Sequence, residues 1–144
     1  MEELEGFSVY PVSETETYQR DADGQRVARL PGVVLEKAFR LKDGALLVVT
    51  TDDCPFEEGF HISLLRSDGS PLETACRAIP YCPGIIRNLF AISDDAVKMV
   101  LHDGEAIVIA VRPEGTRSPL KFIQQRFISN NGIFGRHYLE ISAP

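Results

Sequence analysis

At 144 residues, 44% hydrophobic and 25% charged, the chain has the size and composition of a single globular domain spanning 1–144, and wholesale disorder or a fibrous repeat is excluded. Its net charge of −6 disfavours nucleic acid as a partner, because phosphate recognition needs a clustered positive field. The longest apolar run, Ala106 to Val111, falls far short of the roughly 20 residues of a membrane-spanning helix.

The start, Met-Glu-Glu-Leu-Glu-Gly, has neither the basic residues nor the apolar stretch of a secretory leader, so a cytoplasmic protein with no membrane contact is expected. Cys54, Cys76 and Cys82 make an odd number of cysteines with no Cys-x-x-Cys frame; reduced, partly buried thiols are expected. Charge is uneven along the chain: residues 1–60 hold 13 Asp/Glu and 6 Lys/Arg (−7), and residues 61–144 hold 8 and 9 (+1).

Asp-Gly recurs at Asp23-Gly24, Asp43-Gly44, Asp68-Gly69 and Asp103-Gly104, each between segments rich in Val, Ile, Leu, Phe or Thr. Gly and Asp tolerate the positive φ of a tight two-residue reversal, so each is a hairpin signal. Thr17 to Asp21 and Gln25 to Leu30 form a polar hairpin, expected at an edge and closed by Pro31-Gly32. Val34 to Leu41 alternates, with Leu35, Lys37, Phe39 and Leu41 on one face. Ala45 to Thr51 is apolar on both faces, the pattern of a central strand covered from two sides.

Phe60 to Arg66 and Leu72 to Ala78 pair across Ser67-Asp68-Gly69-Ser70, with Phe60, Ile62 and Leu64 on one face and His61, Ser63 and Leu65 on the other. A loop at Ile79 to Gly84 leads to a strand over Ile85 to Ser93. Ala96 to His102 and Glu105 to Arg112 pair across Asp103-Gly104, and Ala106 to Val111 reads as a second central strand. Ser118-Pro119, with Leu120, Ile123 and Phe127 on one helical face, favours a short helix near 119–129. Asn131-Gly132 supports the competing reading, in which Phe122 to Ser129 pairs with Phe134 to Ser142.

The fold class is therefore mainly β: a single-domain antiparallel meander of hairpins, as a curled sheet, barrel or sandwich, with at most one short helix near 119–129. The turn spacing resembles that of β-propeller blades, but at roughly 40 to 45 residues per blade the chain is too short for a ring.

The densest polar cluster is the loop from Thr50 to His61, holding Asp52, Asp53, Glu57 and Glu58 beside Cys54 and His61. Oxygen ligands suit a hard cation, yet the spacing matches no calcium loop, and a solvated acidic loop is the preferred reading. Cys54 beside His61 makes a poor nucleophile, since flanking carboxylates raise a thiol's pKa. His102 is expected to be exposed. His137, on a face with Leu139 and Ile141, is expected to be a hydrogen-bonded core residue.

Tyr81 in the Pro-rich loop, and Arg136 with Tyr138 and Phe134 on one face of the last strand, are candidate anchors for a partner. No catalytic residue, metal site or cofactor is assigned. The expected role is a non-catalytic binding or protein-interaction module, acting on a protein partner or by self-association into a homodimer. The alternatives are an acidic immunity- or antitoxin-type protein masking a basic partner, and a metal-dependent hydrolase at the 52–61 acidic loop.

Overall fold

The computed structural model describes residues 1–13, 16–20, 26–52, 59–77, 85–117, 127–132 and 135–143. Those residues form strands and turns only. In chain order the strands are β1 (Glu2–Glu3), β2 (Val9–Pro11), β3 (Glu16–Arg20), β4 (Arg26–Pro31), β5 (Val34–Arg40), β6 (Leu46–Thr51), β7 (Phe60–Leu65), β8 (Pro71–Arg77), β9 (Ile86–Ala91), β10 (Ala96–Leu101), β11 (Ala106–Thr116), β12 (Ile128–Ser129) and β13 (His137–Ser142). They build three antiparallel sheets, ordered β1-β5-β6-β7-β8-β12, β13-β11-β10-β9 and β2-β3-β4, none closed into a barrel. No helix among the described residues is long and apolar enough to cross a membrane.

The reversals use the expected Asp-Gly pairs but are one residue longer than expected. Leu41 N–H donates to Ala45 O at 2.8 Å and Gly44 N–H to Leu41 O at 3.0 Å, which closes a loop of Lys42, Asp43 and Gly44. The same pattern recurs around Gly69 and Gly104. Only the glycine need be left-handed in this three-residue loop, and φ is 86° at Gly44, 85° at Gly69 and 92° at Gly104. The aspartate acts through its side chain, accepting the N–H two residues on: Asp43 from Ala45, Asp68 from Ser70 and Asp103 from Glu105, at 2.8–2.9 Å. Asp23-Gly24 lies outside the described residues.

The main core lies between the six- and four-stranded sheets. Phe39, Leu47, Val49, Phe60, Ile62, Leu64 and Ala75 from one side meet Leu89, Val97, Met99, Ile107, Ile109, Val111, Leu139 and Ile141 from the other. Each large side chain among them contributes about 1.5–3 kcal/mol on leaving water, before ordering costs. A second, smaller core covers the opposite face of the six-stranded sheet, where Ala38, Val48 and Leu65 pack on Ala28 and Leu30 of β4. This third layer explains β6: Leu47 and Val49 face one core and Val48 the other, as the two-sided apolar pattern requires. β11 lies inside its sheet between β13 and β10, the second central strand expected.

The structure corrects two local expectations. The β3–β4 hairpin supplies an edge strand, since β4 ends its sheet, but it is not exposed on both faces: Thr17, Gln19, Ala28 and Leu30 are buried, because alternate positions of both strands turn toward the six-stranded sheet. β5 carries a register shift between Leu35 and Lys37, and Leu35 packs on the smaller core instead of sharing Phe39's environment. An extra residue in one strand reverses the alternation on one side of the bulge.

At the end of the chain, Ile128 and Ser129 pair with Cys76 and Ala75 of β8, and β13 pairs with β11. Of the competing strand reading, which pairs Phe122 to Ser129 with Phe134 to Ser142, residues 122–126 and Phe134 lie outside the described residues; where both segments are described, β12 and β13 add to different sheets. Of the segment read as a short helix, residues 119–126 lie outside the described residues, and Ile128 and Ser129 are strand.

Candidate functional site

β6, β7 and β8 place one polar row on the face opposite the main core. Antiparallel partners project to the same side of a sheet, and the register aligns Leu35 with Thr50, Thr50 with His61, His61 with Cys76, and Cys76 with Ile128. Asp52 follows β6 immediately, and its N–H donates to Gly59 O at 3.0 Å, closing the root of the acidic loop. That link holds the Asp52 carboxylate beside His61.

The imidazole bridges two groups. His61 Nε2 lies 2.9 Å from Asp52 Oδ1, and Nδ1 lies 3.0 Å from Cys76 Sγ. An ionised carboxylate only accepts hydrogen bonds, so Nε2 carries the imidazole proton; Nδ1 then offers a lone pair and the thiol S–H donates to it. The result is a thiol–imidazole–carboxylate chain in which each member fixes the next. The side chains of His61 and Asp52 are 14% and 26% exposed, so the chain is sheltered but reachable. Burial, and then the negative charge of Asp52, push the Cys76 thiol up to about 11, which keeps its resting form neutral.

The imidazole plane is also held from the side. Gly32, at φ 82°, approaches so closely that a Cβ there would stand 2.7 Å from Thr50 Oγ1 and 3.0 Å from His61 Cδ2. Thr50 Oγ1 in turn donates to Pro31 O at 2.6 Å. The Pro31-Gly32 corner, read from sequence only as a hairpin closure, thus forms one wall of the site.

No family model, curated protein or solved structure matches this chain. The chemistry therefore rests on the geometry alone.

Of the residues singled out in the sequence, Asp52 and His61 meet in this chain, whereas Asp53, Glu57, Glu58, Cys54 and Tyr81 lie outside the described residues. Arg136 and Tyr138 lie elsewhere. Both pack over Gly115, where a Cβ would stand 2.6 Å from Arg136 Cδ and 3.1 Å from Tyr138 Cε1, and Arg136 Nη1 donates to Glu114 O at 3.0 Å. His102 is exposed. His137 is 2% exposed, with Nδ1 2.8 Å from Glu73 Oε1, the hydrogen-bonded core histidine expected.

Among the described residues no group of three His, Cys, Asp or Glu side chains is placed to hold a metal ion. Asp52 and Cys76 sit on opposite nitrogens of one ring, so a single ion bound to that ring cannot take both. Cys76 is the residue that sequence reasoning missed. The sequence carried no sufficient signal for it: the reversal is a three-residue loop, and His61 comes to face Cys76 only through the register shift between Leu64 and Leu65.

Proposed function

We propose that this chain is a protein-interaction module whose partner is a second copy of itself, joined through β9, the terminal strand of its sheet. The carrying observation is that β9 ends its sheet while Ile85, Phe90 and Ile92, in and beside it, remain 46%, 37% and 48% exposed. An edge strand offers unpaired backbone groups as a template for another strand, and apolar side chains beside that edge add area that favours association.

A second copy is favoured as the occupant because antiparallel pairing of β9 with itself is isologous and closes after two chains. The reduced Cys76 suits the reducing, cytoplasmic setting in which such a module would work.

Light scattering coupled to size-exclusion chromatography tests the reading. The protein is expected to run as a dimer at high micromolar concentration, and the double variant Phe90→Lys, Ile92→Lys as a monomer with unchanged circular dichroism. A monomer at every concentration overturns it.

A further inference from the structure

The Asp52–His61–Cys76 chain has no part in the β9 edge or in the main core. We propose that it is a covalent acceptor site: an acyl thioester delivers its acyl group to Cys76 Sγ, with His61 moving the proton and Asp52 positioning His61.

The step balances without an oxidant or reductant. As Cys76 Sγ bonds to the carbonyl carbon, the S–H proton passes across the 3.0 Å contact to His61 Nδ1. The tetrahedral adduct then collapses, the bond from carbon to the donor's sulfur breaks, and the imidazolium N–H protonates the departing thiolate. The products are S-acyl Cys76 and a free thiol. Asp52, 2.9 Å from Nε2, holds the tautomer that leaves Nδ1 open and offsets the imidazolium charge while it lasts; this is nucleophile, base and orienting group in sequence.

Three observations select this class of donor. Acyl exchange between sulfurs requires one proton to leave the attacking sulfur and one to reach the departing sulfur, and a base resting on a neutral thiol can do both. Peroxides and alkylating agents instead favour a resting thiolate, which the burial of Cys76 and the nearby Asp52 carboxylate oppose. Finally, Cys76 is flanked on the β12 side by Ile128, 77% exposed, an apolar surface on which an aliphatic acyl chain can lie.

The test incubates the full chain with octanoyl-N-acetylcysteamine and reads intact mass and peptide maps. The expected result is one octanoyl group, on the peptide containing Cys76, lost in Cys76→Ser and slowed about a hundredfold in His61→Gln, within the range for removal of a general base. Ile128→Asp should slow octanoyl transfer while leaving acetyl transfer unchanged.

Asp52 is separated from a merely structural role by its conservative variants. Among the described residues, the titratable groups hydrogen-bonded to the imidazole are Asp52 and Cys76, while Gly32 and Thr50 close its Cδ2 edge. Asp52→Asn should slow acylation with unchanged circular dichroism, and Asp52→Glu should recover most of the rate. That comparison decides the matter if His61→Gln does not fold. Equal labelling of Cys54 or Cys82 in the folded protein, no labelling at all, a wild-type rate in folded His61→Gln, or a wild-type rate in folded Asp52→Asn each overturns the proposal.

Discussion

Cys76 shows how one side chain carries different meanings in the sequence and in the fold. In the sequence it is a small residue on a strand; in the fold it faces an imidazole fixed by a carboxylate. Its pH linkage has a definite sign. The thiol rises from its ordinary value of 9.0 to about 11, so the folded state favours the protonated form. That contribution to stability is complete below pH 9 and is lost as pH climbs toward 11. Urea denaturation across this window should show wild-type stability declining more steeply than that of Cys76→Ser. Parallel curves would mean that the thiol is not held against ionisation. Asp52 and His61 were legible as a polar cluster; their link to Cys76 was not, because it depends on cross-strand register and not on sequence proximity.

Among the elements, the turns were the most legible, because left-handed backbone is a local property of glycine. Two glycines separate the cost of conformation from that of space. A Cβ added at Gly104, where φ is 92°, would meet nothing within 4 Å, so Gly104→Ala should cost about 1 kcal/mol, from left-handed strain alone. Gly32→Ala adds a collision with Thr50 and His61 to the same strain. It should be the more destabilising of the two and should displace the imidazole, visible as a changed His61 NMR shift. Equal melting temperatures for the two variants would deny the close packing at Gly32. The β5 bulge was illegible for the opposite reason: its extra residue shows only against a partner strand.

Across the whole molecule, Glu73 stitches the six-stranded sheet to the four-stranded one. This fully buried carboxylate accepts from Ser129 Oγ at 2.6 Å and faces His137 Nδ1 at 2.8 Å through Oε1, while Oε2 accepts from Tyr138 N–H at 2.6 Å and Leu139 N–H at 2.9 Å. Farther along β8, Arg77 reaches Glu105 with two hydrogen bonds, at 3.0 and 2.9 Å. Removing the acceptor strands several buried donors at once, so Glu73→Ala should lose about 3 kcal/mol or more. Glu73→Gln, which keeps one acceptor oxygen, should lose less. A loss for Glu73→Ala within about 0.5 kcal/mol, the range of ordinary surface changes, would show that the apolar core joins the two sheets without it.

By itself the sequence determined the β class, most strand positions, the glycine reversals and the two central strands, because each follows from a local period or a local backbone preference. Only the tertiary structure decided the three-sheet layering, the destinations of β12 and β13, and the meeting of Asp52, His61 and Cys76. Those depend on which strands become neighbours and in what register. That choice minimises the free energy of the whole packed chain and is written in no single segment of it.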